Sequence, residues 1–192
     1  MEKLRKILVF MAVFGLVLTS AVAHAQPSVI VTTNPLAMAF GLFNANVELP
    51  VVGENWDYLD PVFGVAYASL SYDNWDIKAY GLSAGLNKFF SGRPKGFYLG
   101  TSVGWVHVSA DYNDSYYTGS GSANAFSISG VGGYRWLISD RVVVGVELGA
   151  VYIAGGEVKA ECKDRWGNYE EESTGKFNGL LPTAGITIGF AF

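Results

Sequence analysis

Hydrophobic and polar residues alternate with a period of two along most of this chain. From Ala184 to Phe192, the even-numbered positions are apolar and mostly large, whereas the positions between them hold only Gly, Ala or Thr. Successive side chains of a β-strand point to opposite faces, so this segment has one apolar face and one face of small residues. A soluble sheet usually carries charged residues on its second face. The pattern is instead typical of a barrel strand that faces lipid on one side and a narrow lumen on the other.

The same alternation recurs upstream and predicts eight strands. A strand needs about 9–11 residues to cross a bilayer, and a chain of 192 residues accommodates eight such crossings. We therefore predict an all-β protein with one domain at residues 26–192, an eight-stranded antiparallel transmembrane β-barrel. The pattern does not determine which face of the third strand points outward. The predicted strands cover residues 29–34, 42–50, 62–72, 77–90, 97–110, 123–136, 142–158 and 180–192.

The segments between the predicted strands differ in length and polarity. Residues 91–96 and 137–141 predict short turns, whereas residues 111–122 and 160–179 are long, polar and predicted to be outer loops. Short turns at one end of a barrel and long loops at the other are typical of outer-membrane barrels. The apolar segment 34–42 fits either a short helix in the membrane interface or an extension of the first strand.

Aromatic residues near the predicted strand ends suggest two girdles at the membrane interfaces. One girdle would lie on the turn side and the other on the loop side of the barrel. The turn-side set is Phe89, Phe90, Phe97, Tyr98 and Trp136, and the loop-side set is Tyr72, Trp75, Trp105 and Tyr112.

The N-terminus has the order of a secretory signal peptide. Residues 2–6 are net basic, residues 7–18 carry no charge, and the small residues Ala23 and Ala25 form an A-x-A cleavage motif. The apolar run is shorter than the ~20 residues of a membrane-spanning helix. We therefore predict that residues 1–25 are cleaved and that the remaining chain is secreted and inserted into the outer membrane.

Composition excludes several function classes. Only 16% of the residues are charged and 50% are hydrophobic, which is untypical of a disordered chain. One Cys and two His are too few for a Cys-based zinc site or a His-rich metal site. The net charge of −4 disfavours a nucleic-acid partner. We expect no cofactor and no metal, and we expect contacts with outer-membrane lipid and lipopolysaccharide.

Six polar residues fall on the predicted lumen face. In a barrel of eight strands the interior is just filled by side chains, and a buried charge without a partner is very costly. We therefore predict a polar plug in which opposite charges pair, with a gated ion path as the alternative. The plug residues are Asn44, Asn46, Glu48, Asn87, Arg135 and Glu147.

Several stretches of the sequence resemble the small eight-stranded outer-membrane barrels of Gram-negative bacteria, such as OmpX and the OmpA transmembrane domain. They resemble an uncharacterised family of outer-membrane barrel proteins more closely. The resemblance implies a barrel and an envelope location, and it implies no defined activity. The C-terminal residues Ile186, Ile188, Phe190 and Phe192 resemble the signal read by the barrel-assembly machinery. The resembling stretches are residues 34–36, 43–48, 85–90, 94–100, 132–136 and 181–192.

Three hypotheses for function remain. The first is a structural or surface-interaction role, in which the outer loops contact a partner that the sequence does not identify. The second is a lipid A-modifying hydrolase, because the spacing of His107 and Ser109 is similar to that in lipid A deacylase barrels, although Asp111 is not placed as a clear third member. The third is a small pore or carrier for apolar solutes. Cys162 is interpreted as incidental, with pairing between molecules as the alternative. The acidic residues 170–172 are interpreted as solvated, with binding of divalent cations as the alternative.

Overall fold

The computed structural model shows eight strands and one short helix. It describes residues 29–50, 59–90, 94–138, 141–164 and 170–192. The predicted signal peptide, with Ala23 and Ala25, lies outside the described residues. The elements are β1 (Ile30–Thr33), α1 (Pro35–Ala39), β2 (Leu42–Glu48), β3 (Leu59–Tyr72), β4 (Trp75–Phe89), β5 (Gly96–Asn113), β6 (Tyr117–Ile138), β7 (Val142–Asp164) and β8 (Glu170–Ala191).

The strands close into one barrel. Each strand pairs antiparallel with the next, and β1 pairs with β8 to complete the ring. The predicted all-β fold with eight antiparallel strands is therefore confirmed. We call the end with Ile30 and Ala191 the terminal end, and the end with the turns at residues 73–74 and 114–116 the hairpin end.

Large apolar side chains cover the outside of the barrel. Leu82, Phe126 and Leu148 are 61%, 69% and 70% exposed, and they stand on the faces that the alternation predicts as apolar. The face of β3, which the sequence left open, is now determined, because Phe63 and Val65 point outward and Gly64 is buried. Such an exterior is suited to lipid rather than to water.

The apolar exterior forms a band of limited height. It covers nine residues of β5, from Phe97 to Trp105, and eleven residues of β6, from Phe126 to Trp136. These lengths match the ~9–11 residues that cross a bilayer. Aromatic contacts mark both edges of the band, with ring centroids 4.7 Å apart for Phe97 and Tyr134 and 5.7 Å apart for Tyr80 and Trp105.

The prediction of long, irregular outer loops is wrong. The ladder between β5 and β6 continues to Asn113 and Thr118, so only a tight turn remains between these strands. Residues 160–164 and 170–179 belong to β7 and β8. The prediction failed because polar composition was interpreted as irregular structure, whereas backbone hydrogen bonds form between strands whatever the side chains are.

The segment 34–42 contains a short helix rather than a longer first strand. The Asn34 side chain caps α1 by accepting a hydrogen bond from the backbone N–H of Ala37 at 3.1 Å. Pro35 occupies the first turn, and Gly41 ends the segment with a φ of 78°, a conformation that favours glycine. No helix of the described residues is long and apolar enough to cross a membrane.

The helix α1 lies at a seam in the wall, between β8 and β2. β1 ends at Thr33, whose partner is Ile188, and no described strand pairs with β8 beyond that point on the same side. Because Phe192 and Val29 exchange backbone hydrogen bonds, the even-numbered residues of β8 direct their backbone groups toward this side. Pro182 is one of them, and a residue without an N–H group fits an unpaired edge.

The glycines of β6 provide a test of this packing. A Cβ atom at Gly133 would lie 2.7 Å from the Tyr98 ring and from the Val146 carbonyl oxygen, whereas a Cβ atom at Gly130 would meet nothing within 4 Å. We expect Gly133→Val to lower the free energy of unfolding by about 1–3 kcal/mol, the usual cost of overpacking. Urea unfolding in lipid vesicles, followed by tryptophan fluorescence, measures the change. The matched control Gly130→Val should unfold like the wild type, and equal effects at both sites would contradict the packing.

Candidate functional site

A buried ion pair spans the lumen near the terminal end of the barrel. Arg135 on β6 donates hydrogen bonds from Nη1 to Oε1 of Glu48 at 2.6 Å and from Nη2 to Oε2 at 3.1 Å. The two side chains are 4% and 3% exposed. Glu48 lies on β2, so this two-point contact joins distant strands. Two parallel hydrogen bonds fix the guanidinium and the carboxylate in one plane.

Other side chains hold both members of the pair. The amide Nδ2 of Asn87 donates a 2.6 Å hydrogen bond to Oε2 of Glu48. The guanidinium carbon of Arg135 lies 4.9 Å from the Phe89 ring centroid and 5.1 Å from that of Tyr98. Contacts with aromatic faces stabilise a desolvated cation. The two ring centroids are 5.3 Å apart, so both aromatic side chains pack together beside the cation.

Glu147 joins the cluster through a third group. Its Oε2 accepts a hydrogen bond from the Tyr98 hydroxyl at 2.8 Å, while Arg135 binds Glu48. The sequence predicted that opposite charges in the lumen would pair, and a third group joins Glu147 to Arg135. The ring of Tyr98 is that group, because one side chain contacts both residues.

Of the other predicted plug residues, Asn44 contacts the segment before α1, whereas Asn46 lies in the lumen. The Asn44 side chain accepts a hydrogen bond from the backbone N–H of Asn34 at 2.8 Å, so it fixes the start of α1 rather than the ion pair. Asn46 lines the lumen cavity beside Glu48. Asn44 therefore links the polar interior to the seam.

Sequence reasoning missed three members of the site. Phe89 and Tyr98 were expected in the lipid-facing girdle, but they are 0% and 3% exposed and point into the lumen. The period of two already contained the signal, because Phe97 points outward and its neighbour Tyr98 therefore points inward. Asp60, which is fully buried, was missed because the third strand begins at Leu59 rather than at residue 62.

An apolar layer closes the terminal end below the polar cluster. Ile30 and Val143 are fully buried and pack with Ala191, and Leu137 packs against them. The charged cluster and this apolar layer lie one above the other in the lumen.

A polar cavity of about 160 Å³ lies in the lumen above the ion pair. Hydroxyl groups line it, and those of Ser102 and Ser129 are 2.7 Å apart and hydrogen-bonded. Thr187 also lines it, and its buried hydroxyl has no hydrogen-bond partner among the described residues. Buried polar groups normally find a partner, so this cavity has room and unused hydrogen-bonding capacity for water or a ligand group.

His107 and Ser109 lie on the outside of the barrel, just beyond the apolar band. Nδ1 of His107 is hydrogen-bonded to Oδ1 of Asn124 at 2.9 Å, and the imidazole ring lies 4.8 Å from the Tyr80 ring centroid. Nucleophile activation requires a base that a third group, usually a carboxylate, orients. Here an amide orients the ring, and the surroundings are those of an interfacial aromatic girdle.

The remaining residues singled out in the sequence lie on β7, on β8 or directly after β8. The described residues contain no group of three or more His, Cys, Asp or Glu side chains that could hold a metal ion. Cys162 is partly buried on β7, and the structure does not describe the side chains of residues 170–172. At the C-terminus, the backbone of Phe192 pairs with Val29, and Phe190, Ile188 and Ile186 line the outer face of β8.

The chain matches one family model and is similar to solved structures of outer membrane proteins. A family model described as "Protein of unknown function (DUF3575)" matches residues 8–192. The fold is similar to the crystal structure of a major outer membrane protein from Thermus thermophilus, with a TM-score of 0.56, 12% sequence identity, and coverage of 86% of this chain and 100% of that chain. Acinetobacter baumannii CarO gives a TM-score of 0.45 at 11% identity, with coverage of 88% and 100%. No curated protein matches the chain in sequence.

The ion pair predicts an asymmetry between single and double variants. Arg135→Met leaves the Glu48 carboxylate buried without its cation, and we expect a loss of about 3–5 kcal/mol in the free energy of unfolding. Glu48→Leu leaves the guanidinium uncompensated and should cost a similar amount. The double variant removes both charges and should be more stable than either single variant, as urea unfolding in lipid vesicles would show.

The exposed pair of Lys163 and Glu161 is a suitable control. Its nitrogen and oxygen are 3.6 Å apart, and both side chains are about half exposed. Exposed ion pairs contribute about 0–1 kcal/mol, so Lys163→Met should change the stability little. Additive losses in the Glu48 and Arg135 double variant would refute the coupling.

Proposed function

The chain belongs to the family described as proteins of unknown function DUF3575, and from its barrel we propose an integral outer-membrane protein. In this proposal the lumen does not conduct ions, and the hairpins that extend beyond the apolar band act at the cell surface. The closed terminal end of the lumen is the observation that carries the proposal.

The outer-membrane location rests on the exterior of the barrel. Lipid provides no hydrogen-bond partners for backbone N–H and C=O groups, so a spanning sheet has to close. The barrel closes, its exterior is an apolar band of bilayer height, and its fold resembles that of an outer membrane protein. A cleaved signal peptide at residues 1–25 and recognition of the C-terminal strand by the barrel-assembly machinery are parts of the same proposal.

The closed lumen favours the plug over an ion path. Arg135, Glu48, Phe89 and Tyr98 fill one layer, and the apolar cluster around Val143 fills the next. An ion would have to separate a pair held by two short hydrogen bonds and then cross an apolar layer. Both steps are unfavourable in a desolvated interior.

The surface role rests on the length of the strands. β6 has 22 residues and β7 has 23, about twice the ~9–11 that cross a bilayer. The surplus extends beyond the apolar band at the hairpin end. We propose that these extended hairpins, rather than flexible loops, contact lipopolysaccharide or another surface partner.

Planar bilayer recordings test the closed lumen. We expect the wild-type protein to insert without stable single-channel steps, because the two packed layers leave no aqueous path. Insertion is verified on the same preparation by heat-modifiable migration in gels, which reports a folded barrel. Stable, reproducible conductance steps would overturn the plug.

Trimming a hairpin tests the division between the membrane barrel and the surface hairpins. Replacing residues 111–120 by a two-residue turn keeps the pairing of Ala110 with Gly121 and should preserve heat-modifiable migration, since the removed rungs lie beyond the apolar band. Binding of purified lipopolysaccharide to the variant in nanodiscs should fall. If the trimmed barrel no longer folds, the hairpin is structural and the proposed division is wrong.

A further inference from the structure

The polarity of the wall formed by β3 to β6 reverses along the barrel axis. Within the apolar band, β4 to β6 turn large apolar residues outward, such as Leu82, Trp105 and Phe126, and turn small or polar residues inward, such as Ser83, Gly104 and Ser127. Beyond the band, polar residues face outward and apolar residues face inward. The strands run on without a change of phase on β4 and β5, so the sequence pattern itself produces the reversal.

Strand register makes the reversal explicit on four neighbouring strands. Side chains at paired positions of antiparallel strands share one face of the sheet. One outward row is Ser69, Lys78, Ser109 and Ser122, and the next is Ser71, Asp76, Asp111 and Ser120. The inward rows that alternate with them are Ala68, Ala79, Val108 and Ala123, then Leu70, Ile77, Ala110 and Gly121, and then Tyr72, Trp75, Tyr112 and Gly119. We call the inner surface of these three inward rows the cup.

Part of the inner surface of the cup is accessible. Leu70 and Ile77 are 45% and 37% exposed although they point inward, and Trp75 is 46% exposed. Lower in the barrel, the inward residues Phe89 and Tyr98 are buried. The ring of Trp75 packs 4.9 Å from that of Tyr112 at the rim. On these four strands the inner face is apolar and the outer face polar, as in the walls of barrels that hold one small ligand.

The polar cavity lies between the cup and the ion pair. Its lining determines which polar head group a molecule bound in the cup could have. Its lining includes the hydroxyls of Ser102, Ser129 and Thr187, together with two carboxylates and one guanidinium, Glu48, Glu147 and Arg135. The formal charge of these three ionisable groups is −1. A carboxylate ligand would be repelled, whereas a hydroxyl or a protonated amine would find acceptors. The unused hydroxyl of Thr187 offers such a contact.

We propose that the cup and the cavity beneath it bind one small molecule with an apolar body and an alcohol or amine head group. The body lies against the Val, Ala and Ile side chains of the cup, and the head group binds in the hydroxyl-lined cavity. The closed terminal end makes the site a dead end, so the molecule enters from the hairpin end or through the seam beside α1. The site goes beyond the proposed surface role and requires no conduction.

A matched series of naphthalene derivatives tests the site. The probes are 1-naphthalenemethanol, 1-naphthalenemethylamine and 1-naphthoate, which share one ring system and differ in the head group. Equilibrium dialysis against the full protein in lipid nanodiscs, with protein-free nanodiscs subtracted, measures binding to the protein. We expect saturable binding of the alcohol and the amine, and binding of the carboxylate weaker by about tenfold or more, because its charge meets a net negative lining.

Two neighbouring substitutions locate the binding. Val108→Trp places a large ring in the cup and should reduce binding of the alcohol and the amine to the level of protein-free nanodiscs. Ser109→Trp places the same ring on the outer face of the same strand and should leave binding unchanged. Both variants are checked for heat-modifiable migration. Absence of saturable wild-type binding, equal loss in both folded variants, or equally tight binding of 1-naphthoate would overturn the proposal.

Thr187→Val tests the head-group contact and keeps the proposal falsifiable if Val108→Trp does not fold. It removes a buried hydroxyl that has no partner among the described residues and preserves the side-chain shape, so the barrel should unfold at the same or a higher urea concentration. Affinity for 1-naphthalenemethanol should fall by about threefold to tenfold, the usual value of one hydrogen bond. Unchanged affinity would place the head group elsewhere and contradict the proposed orientation. Channel recordings would remain silent in either case, so failure here is distinguishable from failure of the closed lumen.

Discussion

The requirement that every backbone N–H and C=O group in lipid find a partner governs this barrel. Eight antiparallel strands meet it by closing the sheet. Within the described residues, the part of β8 that precedes Ile188 lacks a strand partner on the side of β1. The chain limits the consequence at that edge in two ways. Pro182 removes a donor that would face the seam, and α1 lies where β1 stops short. The seam is therefore the place where the wall departs from a complete ladder.

Closure with eight strands also sets the size of the lumen, and the size determines the chemistry inside. So narrow a lumen lets Arg135 of β6 reach Glu48 of β2 directly, with the rings of Phe89 and Tyr98 packed beside the guanidinium. The same narrowness requires glycine where side chains cross the lumen, as at Gly133 beneath the Tyr98 ring. A wider barrel would surround the same residues with water, and the ion pair would lose most of its strength.

Much of this architecture could be predicted from the period of two. The alternation predicted the strand number, the outward faces of β4 to β8 and the inward position of Arg135, Glu48 and Glu147. It did not predict the partners, because pairing across a lumen depends on shear and side-chain reach, which no local pattern contains. Tyr98 was assigned to the girdle because residue type was given more weight than the phase set by Phe97. The extent of the hairpins was missed because Gly and Ser in residues 118–122 were interpreted as loop composition, although they alternate strictly.

That alternation of small and polar residues is informative because its polarity is opposite to that of the band below it. A strand whose outward residues change from Phe126 to Asn124 and Ser122 leaves lipid and enters water. Its inward residues meanwhile change from Ser127 and Ser129 to Ala125 and Ala123. If the upper wall were only a spacer, both of its faces would contact water, and apolar inward residues such as Leu70 and Ile77 would be unfavourable there. The reversal of both faces together therefore agrees with the proposed apolar ligand on the inner face of β3 to β6, with the polar cavity and the ion pair beneath it.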